Sequence, residues 1–301
     1  MQTALVCLTA VLLDLWLGEP QRGHPLAGFG RWATRVEHRL HGSRFARSRG
    51  VLALLVLVVP PVAVAGLLVL IEPVALLVEV LLVYLAIGAT SLIQHGRAVA
   101  MALQADDLPA ARRSVQWMVS RDTADLDREG VAAAAVESQL ENGNDAVFGA
   151  LFWFVLLGAP GVVLFRLVNT LDAMWGYRNE RYGGFGWAAA RLDDVLGWIP
   201  ARLTALTYLL LGEGRTAARC WWRQGGRAES PNAGPVIAAG AGSLGLQVGG
   251  DAVYAGEVRR RPLFGEGFMP GARDILRAGR LVQHGVWLWL GTLLAGGLLF
   301  V

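Results

Sequence analysis

The chain contains no lysine, and all 27 of its basic residues are arginine. This absence excludes a Walker A lysine at a nucleotide phosphate, a Schiff-base lysine and a Ser-x-x-Lys nucleophile. Cys7 and Cys220 lie far apart and the five histidines are scattered, so neither a disulfide framework nor a zinc site is indicated. Any metal bound here is therefore expected to be a hard cation on oxygen ligands.

Charged residues are also few for a chain of 301 residues. They make up 17% of it, against 54% hydrophobic residues and a mean hydropathy of +0.44. This composition is typical of an integral membrane protein. The apolar runs predicted to enter the membrane are 5–17, 51–71, 74–93, 146–168, 195–211 and 285–301.

The arginines lie in the loops between these runs, and the net charge is only +3 although the isoelectric point is near 9.2. That placement follows the positive-inside rule of membrane topology and does not indicate nucleic-acid binding. We expect an all-α, polytopic protein of the cell (inner) membrane, with about four to six membrane helices and helical cytoplasmic loops. No Ser/Gly linker or internal repeat divides the chain, so residues 1–301 are predicted to form one domain.

The run at 146–168 conflicts with this topology, because Arg178, Arg181 and Arg191 follow it and also favour the cytoplasmic side. Gly158-Ala-Pro-Gly161 lies at its centre, and Pro and Gly break helices. The run is therefore either a re-entrant helical hairpin or a kinked single span. We favour the hairpin, since it returns the arginines to the side from which the run began.

An acidic stretch over residues 137–145 lies directly before this apolar run. On a helix, Glu137, Glu141 and Asp145 share one face, where like charges repel unless a cation or a cationic substrate binds. The alternative is a solvated helix end that Gly143 caps. The first interpretation makes the three carboxylates candidate catalytic groups.

The helix that carries these carboxylates is expected to begin near Asp122 or Thr123, either of which is a plausible N-cap. In the first apolar run, Asp14 is a candidate functional residue because a carboxylate is costly inside a membrane. The alternative is that Asp14 reaches the lipid headgroups from the end of a short helix.

Further polar segments offer groups for anions and cations. Gly176-Tyr-Arg-Asn-Glu-Arg-Tyr182 carries Arg178 and Arg181, an i, i+3 pair suited to phosphate or carboxylate oxygens. Arg191-Leu-Asp-Asp194 offers adjacent carboxylates for Mg²⁺. A basic loop near the membrane and charge complementarity at a helix end explain the same residues without a ligand. Asn232, in a stiff and helix-breaking loop, is another candidate to contact a ligand.

One motif is interpreted as structural. Residues 240–245 match the G-x-G-x-x-G spacing of dinucleotide-binding proteins, but no strand–helix–strand pattern surrounds them. We expect these small residues to allow close helix packing.

A resemblance spans most of the chain. The motifs that carry it are Asp14-Leu-Trp-Leu-Gly-Glu-Pro20, Ser120-Arg-Asp122, Glu137-Ser-x-x-Glu-Asn142, Asn169-Thr-Leu-Asp172, Gly176-Tyr-Arg-Asn-Glu-Arg-Tyr182, Ala188-Ala-Ala-Arg-Leu-Asp-Asp194, Ser230-Pro-Asn-Ala-Gly234 and Gly249-Gly-Asp-Ala-Val-Tyr254. Together they resemble the CobD/CbiB family of cobalamin-biosynthesis membrane proteins, the adenosylcobinamide-phosphate synthases. Glu19 and Pro235 depart from the family pattern, and neither belongs to the acidic or arginine motifs.

The resemblance implies a ligase that forms a carbon–nitrogen amide bond. Its substrates would be the side-chain carboxylate of adenosylcobyric acid and the amine of aminopropanol phosphate, or of aminopropanol, and its product adenosylcobinamide phosphate. A carboxylate does not condense with an amine unaided in water, and the family reaction is ATP-dependent with Mg²⁺. ATP enters by resemblance alone, because the sequence shows no nucleotide-binding fingerprint.

Roles for individual residues follow from this chemistry. Glu137, Glu141 and Asp145 are the expected catalytic residues, Asp193 and Asp194 the expected metal ligands, and Arg178 and Arg181 the expected phosphate clamp. The remaining residues expected to bind substrate are Asp14, Asn142, Asn169, Asp172, Glu180, Arg191 and Asn232.

Two other functions stay open at this point. One is a corrinoid transporter or scaffold without catalysis, although the paired halves expected of a transporter are not visible in the sequence. The other is a membrane signalling protein of the AmpE type. The expected partners are the two substrates, membrane lipid and other membrane enzymes of cobalamin assembly, with no nucleic acid.

Overall fold

The computed structural model describes residues 1–20, 23–42, 44–177, 179–254 and 256–299. The helices of this part of the chain are α1 (Gln2–Leu17), α2 (Pro25–Leu40), α3 (Ala46–Leu68), α4 (Ala75–Ala86), α5 (Ala89–Gln104), α6 (Leu108–Gln116), α7 (Arg128–Gly143), α8 (Gly149–Trp175), α9 (Tyr182–Phe185), α10 (Trp187–Leu196), α11 (Trp198–Leu211), α12 (Gly214–Gln224), α13 (Ala233–Leu244) and α14 (Ala272–Leu299). The short strands are β1 (Gln247–Gly249), β2 (Ala252–Tyr254), β3 (Glu257–Arg259) and β4 (Leu263–Gly265).

Within the described residues, four helical stretches are long and apolar enough to cross a membrane. They are Ala46–Leu68, Ala75–Gln104, Arg128–Trp175 and Ala272–Leu299. Shorter apolar helices accompany them, among them α1, α11 and α13. The prediction of a polytopic helical membrane protein is therefore confirmed.

Contacts between residues divide the chain into two compact units. The first unit comprises residues 1–88, 145–197 and the C-terminal end from 293. In it, α3, α4 and α10 pack on α8, α2 lies against α3 and α8, and α1 lies against α4. Large side chains such as those of Phe154, Phe165 and Trp175 fill its interior.

The chain folds back on itself within α8, as a helical hairpin. Gly158 has φ 65° and ψ −152°, a left-handed conformation that favours glycine and interrupts the helix before Pro160. The backbone carbonyl of Asp145 accepts a hydrogen bond of 3.4 Å from Arg166, which lies 21 residues further along the chain. On one continuous helix these residues would be about 31 Å apart, so only a reversal brings them together. The structure therefore favours the hairpin over the kinked single span.

The second unit comprises residues 89–144 and 198–292. Its central helix is α13, which packs against α7, α11 and α12. A methyl group on Gly240 would meet Leu140 and Tyr208, and one on Gly242 would meet Cys220. Gly240 and Gly242 thus serve helix packing, as predicted, while Gly245 ends α13 in a left-handed conformation. After α13, β1 pairs with β4 and β2 pairs with β3, both antiparallel.

One predicted helix boundary and one boundary offered as an alternative are wrong. The side chain of Asp127 caps α7 by accepting a hydrogen bond of 2.7 Å from the N–H of Gly130, so α7 does not begin at Asp122 or Thr123. Gly143 does not end the helical path, because a π-helical turn over Asn144–Phe148 follows it directly.

Candidate active site

The hairpin and α10 bring four aspartates together in the first unit. Asp145 lies at the start of the first arm, and Asp172 lies near the end of the second arm. Asp193 and Asp194 lie at the C-terminal end of α10, which packs on α8. We call these four residues the aspartate cluster. Each was predicted from the sequence, but the sequence did not place them in one site.

A chain of polar contacts runs through the aspartate cluster. The amide nitrogen of Asn169 donates to Oδ1 of Asp193 at 3.3 Å. The guanidinium of Arg166 donates to the amide oxygen of Asn169 and to the carbonyl of Asp145, both at 3.4 Å. Nε of Arg166 is buried and has no hydrogen-bond partner among the described residues. Arg166 thus places a positive charge inside the cluster, and its Nε–H group donates to no described residue.

The environment of Asp193 favours its protonated form. Burial raises the pKa of the Asp193 carboxyl well above its usual value, and the negative charges of Asp145 and Asp172 raise it further. The hydrogen bond from Asn169 lowers the pKa, and the charge of Asp194 raises it slightly. An ionised carboxylate with a raised pKa binds a proton more tightly than an ordinary carboxylate, as a general base must.

A polar cavity of about 350 Å³ lies beside the cluster. Its walls are the loop that follows α8 and one face of α10, from which Arg191 and Asp194 line the space. Arg191 donates to Oδ2 of Asp194 at 3.2 Å. The cavity therefore presents a cation and an anion side by side, with room for a small polar ligand.

The structure describes one of the two arginines of the predicted phosphate clamp. Arg178 lies outside the described residues. Arg181 is engaged elsewhere, because its Nη2 donates to Oε1 of Glu37 at 2.7 Å and its guanidinium lies 5.2 Å from the centre of the Tyr182 ring. Glu180, in the same loop, is exposed. Of the two described arginines predicted to bind substrate, Arg191 lines the polar cavity and Arg181 does not.

Glu37, which the sequence analysis did not select, organises this region. It is buried, and it accepts hydrogen bonds from Arg181, from the hydroxyl of Tyr182 at 3.0 Å and from the indole of Trp175 at 3.1 Å. Burial opposes its charge, but these hydrogen bonds outweigh burial and lower the pKa of the Glu37 carboxyl. A signal was present in the sequence, because Glu37 shares the buried face of α2 with Phe29 and Ala33.

The acidic face on α7 belongs to the second unit, apart from Asp145. Glu137 is 1% exposed and forms ion pairs with Arg121, at 2.7 Å, and with Arg261. Its two oxygens are thus occupied by arginines from before α7 and from the loop between β3 and β4. These contacts are more consistent with Glu137 anchoring that loop than with Glu137 accepting a proton. The assignment of Glu137 as a catalytic base stays a prediction.

Other predicted residues of the second unit lie in helical or cap positions. Glu141 is half-buried on α7. The amide of Asn142 donates to the carbonyl of Ser138 at 2.9 Å. The amide oxygen of Asn232 accepts a hydrogen bond of 3.0 Å from Arg202, directly before α13. In the first unit, Asp14 is buried on α1.

The predicted metal ligands do not form a complete cation site. Across residues 1–299, apart from the short gaps in the description, no group of three or more His, Cys, Asp and Glu side chains is arranged to hold a metal ion. The oxygens of Asp193 and Asp194 are of the type that Mg²⁺ prefers, and their role as ligands stays a prediction.

The family model and the curated relatives that match the chain all point to the same protein family. The model of one protein family, described as CobD/Cbib protein, matches residues 7–282. "Cobalamin biosynthesis protein CobD" of Stutzerimonas stutzeri (strain A1501) is 56% identical, over 100% of each chain. The protein of the same name from Chromobacterium violaceum is 53% identical over 99% of this chain and 98% of its own. That of Mycobacterium tuberculosis (strain ATCC 25618 / H37Rv) is 40% identical over 94% and 93%. No solved structure matches the chain.

Proposed function

Because the chain belongs to the CobD/CbiB protein family, we propose that it catalyses the amide-forming step of cobalamin biosynthesis. The amine of aminopropanol phosphate, or of aminopropanol, is joined to the side-chain carboxylate of adenosylcobyric acid. The product is adenosylcobinamide phosphate from aminopropanol phosphate, and adenosylcobinamide from aminopropanol. The names of the relatives support the pathway, and the chemistry of the aspartate cluster supports the step.

The observation that carries this proposal is the environment of Asp193. An amine is protonated in water near neutral pH and must lose a proton before its nitrogen can attack a carbonyl carbon. Asp193, whose pKa is raised by burial and by neighbouring carboxylates, accepts that proton. The charges of Asp145 and Asp172 attract the ammonium group and hold it at the cluster.

Arg166 supplies the complementary charge. Attack of the amine on an acyl carbon puts negative charge on the acyl oxygen, and catalysis requires donors aimed at that oxygen. Nε of Arg166 is a buried donor without a hydrogen-bond partner in the described part of the chain. We assign to it the stabilisation of this oxygen, and to Asn169 the orientation of Asp193.

ATP and Mg²⁺ belong to the proposal through the family resemblance. When bound, ATP would activate the carboxylate by converting its oxygen into a leaving group. Because the described residues show no complete cation site, no step is assigned to Mg²⁺. We place the protein in the cell membrane as a multi-pass enzyme, and a complex with other membrane enzymes of cobalamin assembly is part of the same proposal.

Asp193→Asn tests the assignment. The variant keeps the shape of the side chain and removes its ability to take a proton, so turnover should fall by about 10²-fold or more. The assay follows formation of adenosylcobinamide phosphate by mass spectrometry, with the purified full chain, both substrates, ATP and Mg²⁺. Asp125→Asn is the control, since Asp125 is an exposed aspartate of the second unit. Turnover of Asp193→Asn equal to that of Asp125→Asn would show that Asp193 is not the base.

A further inference from the structure

Glu37 joins two segments of the chain that are far apart in sequence. Trp175 is the last residue of α8, and its indole donates to Oε2 of Glu37. Arg181 and Tyr182 lead into α9, and both donate to Oε1 of Glu37. The carboxylate therefore holds the two ends of the loop that walls the polar cavity, one end on each oxygen.

Both held segments carry members of the aspartate cluster. Asp172 precedes Trp175 by about one helical turn, and its carbonyl accepts a hydrogen bond of 2.6 Å from the N–H of Gly176. On the other side, the chain runs from Tyr182 through α9 into α10, which carries Asp193 and its neighbour Asp194 near its C-terminal end. The position of α10 against α8 sets the distance between Asn169 and Asp193.

We propose that Glu37 is a positioning residue, which clasps the end of α8 to the start of α9 and thereby fixes the polar cavity and the separation of Asp172 from Asp193. It does not touch the reacting atoms. This inference rests on the proposed function for its effect on turnover, but the clasp itself is a property of the fold and is tested without turnover.

The carboxylate is required because it meets three donors at once. An ionised carboxylate offers lone pairs on both oxygens, whereas a glutamine amide offers one acceptor oxygen and presents an N–H₂ group in place of the other. Glu37→Gln therefore loses the ion pair to Arg181 and sets the amide nitrogen against one of the donors. Glu37→Asp keeps the charge on a side chain shorter by one methylene.

Trypsin provides the test of the clasp. The protease must bind the side chain of Arg181 to cut the bond that follows it, and in the native protein Glu37 holds that side chain. In the full-length protein in detergent, cleavage after Arg181 is followed by mass spectrometry. Glu37→Gln should raise the cleavage rate about tenfold or more, as expected when a charged hydrogen bond is lost. Glu72→Gln, the same change at an exposed glutamate of the first unit, should leave the rate unchanged.

Tyr182→Phe covers the case in which Glu37→Gln does not fold. This variant removes one hydrogen bond and keeps the ion pair, so it should accelerate cleavage by a smaller factor than Glu37→Gln. If neither folded variant is cleaved faster than the wild type, the clasp is refuted.

Kinetics then test positioning. Glu37→Gln should lower kcat, and Glu37→Asp should recover part of the loss. Arg181→Gln should have a smaller effect in the Glu37→Gln background than alone, because the two residues act through one contact. If Glu37→Gln is cleaved faster but its kcat and KM are unchanged, the clasp exists in the wild-type protein but Glu37 is not a positioning residue. If the wild-type protein forms no amide, the proposed function fails, while the cleavage rates still decide whether the clasp exists.

Discussion

Asp193 and Glu37 carry the same functional group, and their surroundings shift its pKa in opposite directions. Asp193 is surrounded by other carboxylates and receives one hydrogen bond of 3.3 Å, so its pKa is raised. Glu37 receives three hydrogen bonds, so its pKa is lowered although it is buried. The first group is, when ionised, a stronger base than an ordinary carboxylate, and the second is a weaker base whose charged form holds its partners.

The charge of Asp145 should therefore be visible in the pH dependence of the reaction. Asp145→Asn removes a negative charge near Asp193, so ionisation of Asp193 becomes easier and its pKa falls. Because the base must be ionised to act, the acidic limb of the profile of kcat/KM against pH should move to lower pH. Asp194→Asn should move the limb less, since the charge of Asp194 contributes least to the shift. An unmoved limb in Asp145→Asn would mean that another group than Asp193 controls it.

Residue types and their spacing selected most residues of this candidate site, but the contacts of these residues could not be predicted. Asp145, Asn169, Asp172 and Asp193 were all selected from polar motifs. Arg166 was overlooked because it lies inside an apolar run. Arg181 was assigned to a phosphate because its contact with Glu37 could not be predicted. The two residues are 144 positions apart in the sequence.

At the scale of the element, the hairpin in α8 depends on a single backbone conformation. Gly158 lies at φ 65°, and a methyl group there would meet only Oε1 of Glu79, at 4.0 Å. A substitution at this glycine therefore tests backbone strain with little steric conflict.

Gly158→Ala should lower the stability of the protein by about 1–3 kcal/mol, the cost of holding a side chain in a sparsely populated conformation. Thermal unfolding in detergent, followed by tryptophan fluorescence, measures the change in midpoint. Gly291→Ala is the control, because Gly291 lies in α14 with open space around it and alanine favours helix. Equal midpoints for the two variants would show that Gly158 does not require its left-handed conformation.

Helix breaks could be predicted from sequence, while helix starts in irregular loops could not. Gly158 and Pro160 act through local backbone chemistry, which a short motif displays. The loop before α7 is fixed by distant contacts: the N–H of Asp122 donates to the carbonyl of Val253, and its carboxylate accepts from Gly256. Asp122 has a side chain suited to an N-cap, but it bonds to the β2–β3 strand pair. Asp127 caps the helix instead.

At the scale of the whole molecule, composition alone predicted the membrane class. The apolar runs became the four membrane-length helical stretches and the shorter apolar helices. The division into two compact units was not predicted, because each unit is assembled from separate parts of the chain and no linker marks a boundary. The family match at residues 7–282 runs through both units.

A washing experiment tests the membrane assignment. Sodium carbonate at high pH and concentrated salt remove proteins that are held to membranes by charge, but not proteins with spanning helices. The protein should therefore stay in the membrane pellet under both treatments and enter solution only with detergent. Its appearance in the carbonate supernatant, detected by immunoblot, would contradict the assignment.

The hairpin in α8 also bears on the direction of the chemistry. A hairpin that enters a bilayer leaves it on the side from which it came, and its two open ends, at Asp145 and Asp172, lie close enough for their charges to interact. The aspartate cluster gathers at these open ends. Under the proposed function, the substrates and products of such a site share one compartment, so we expect the reaction to be scalar and not vectorial. Its rate in sealed vesicles should be indifferent to a membrane potential or an ion gradient of either sign.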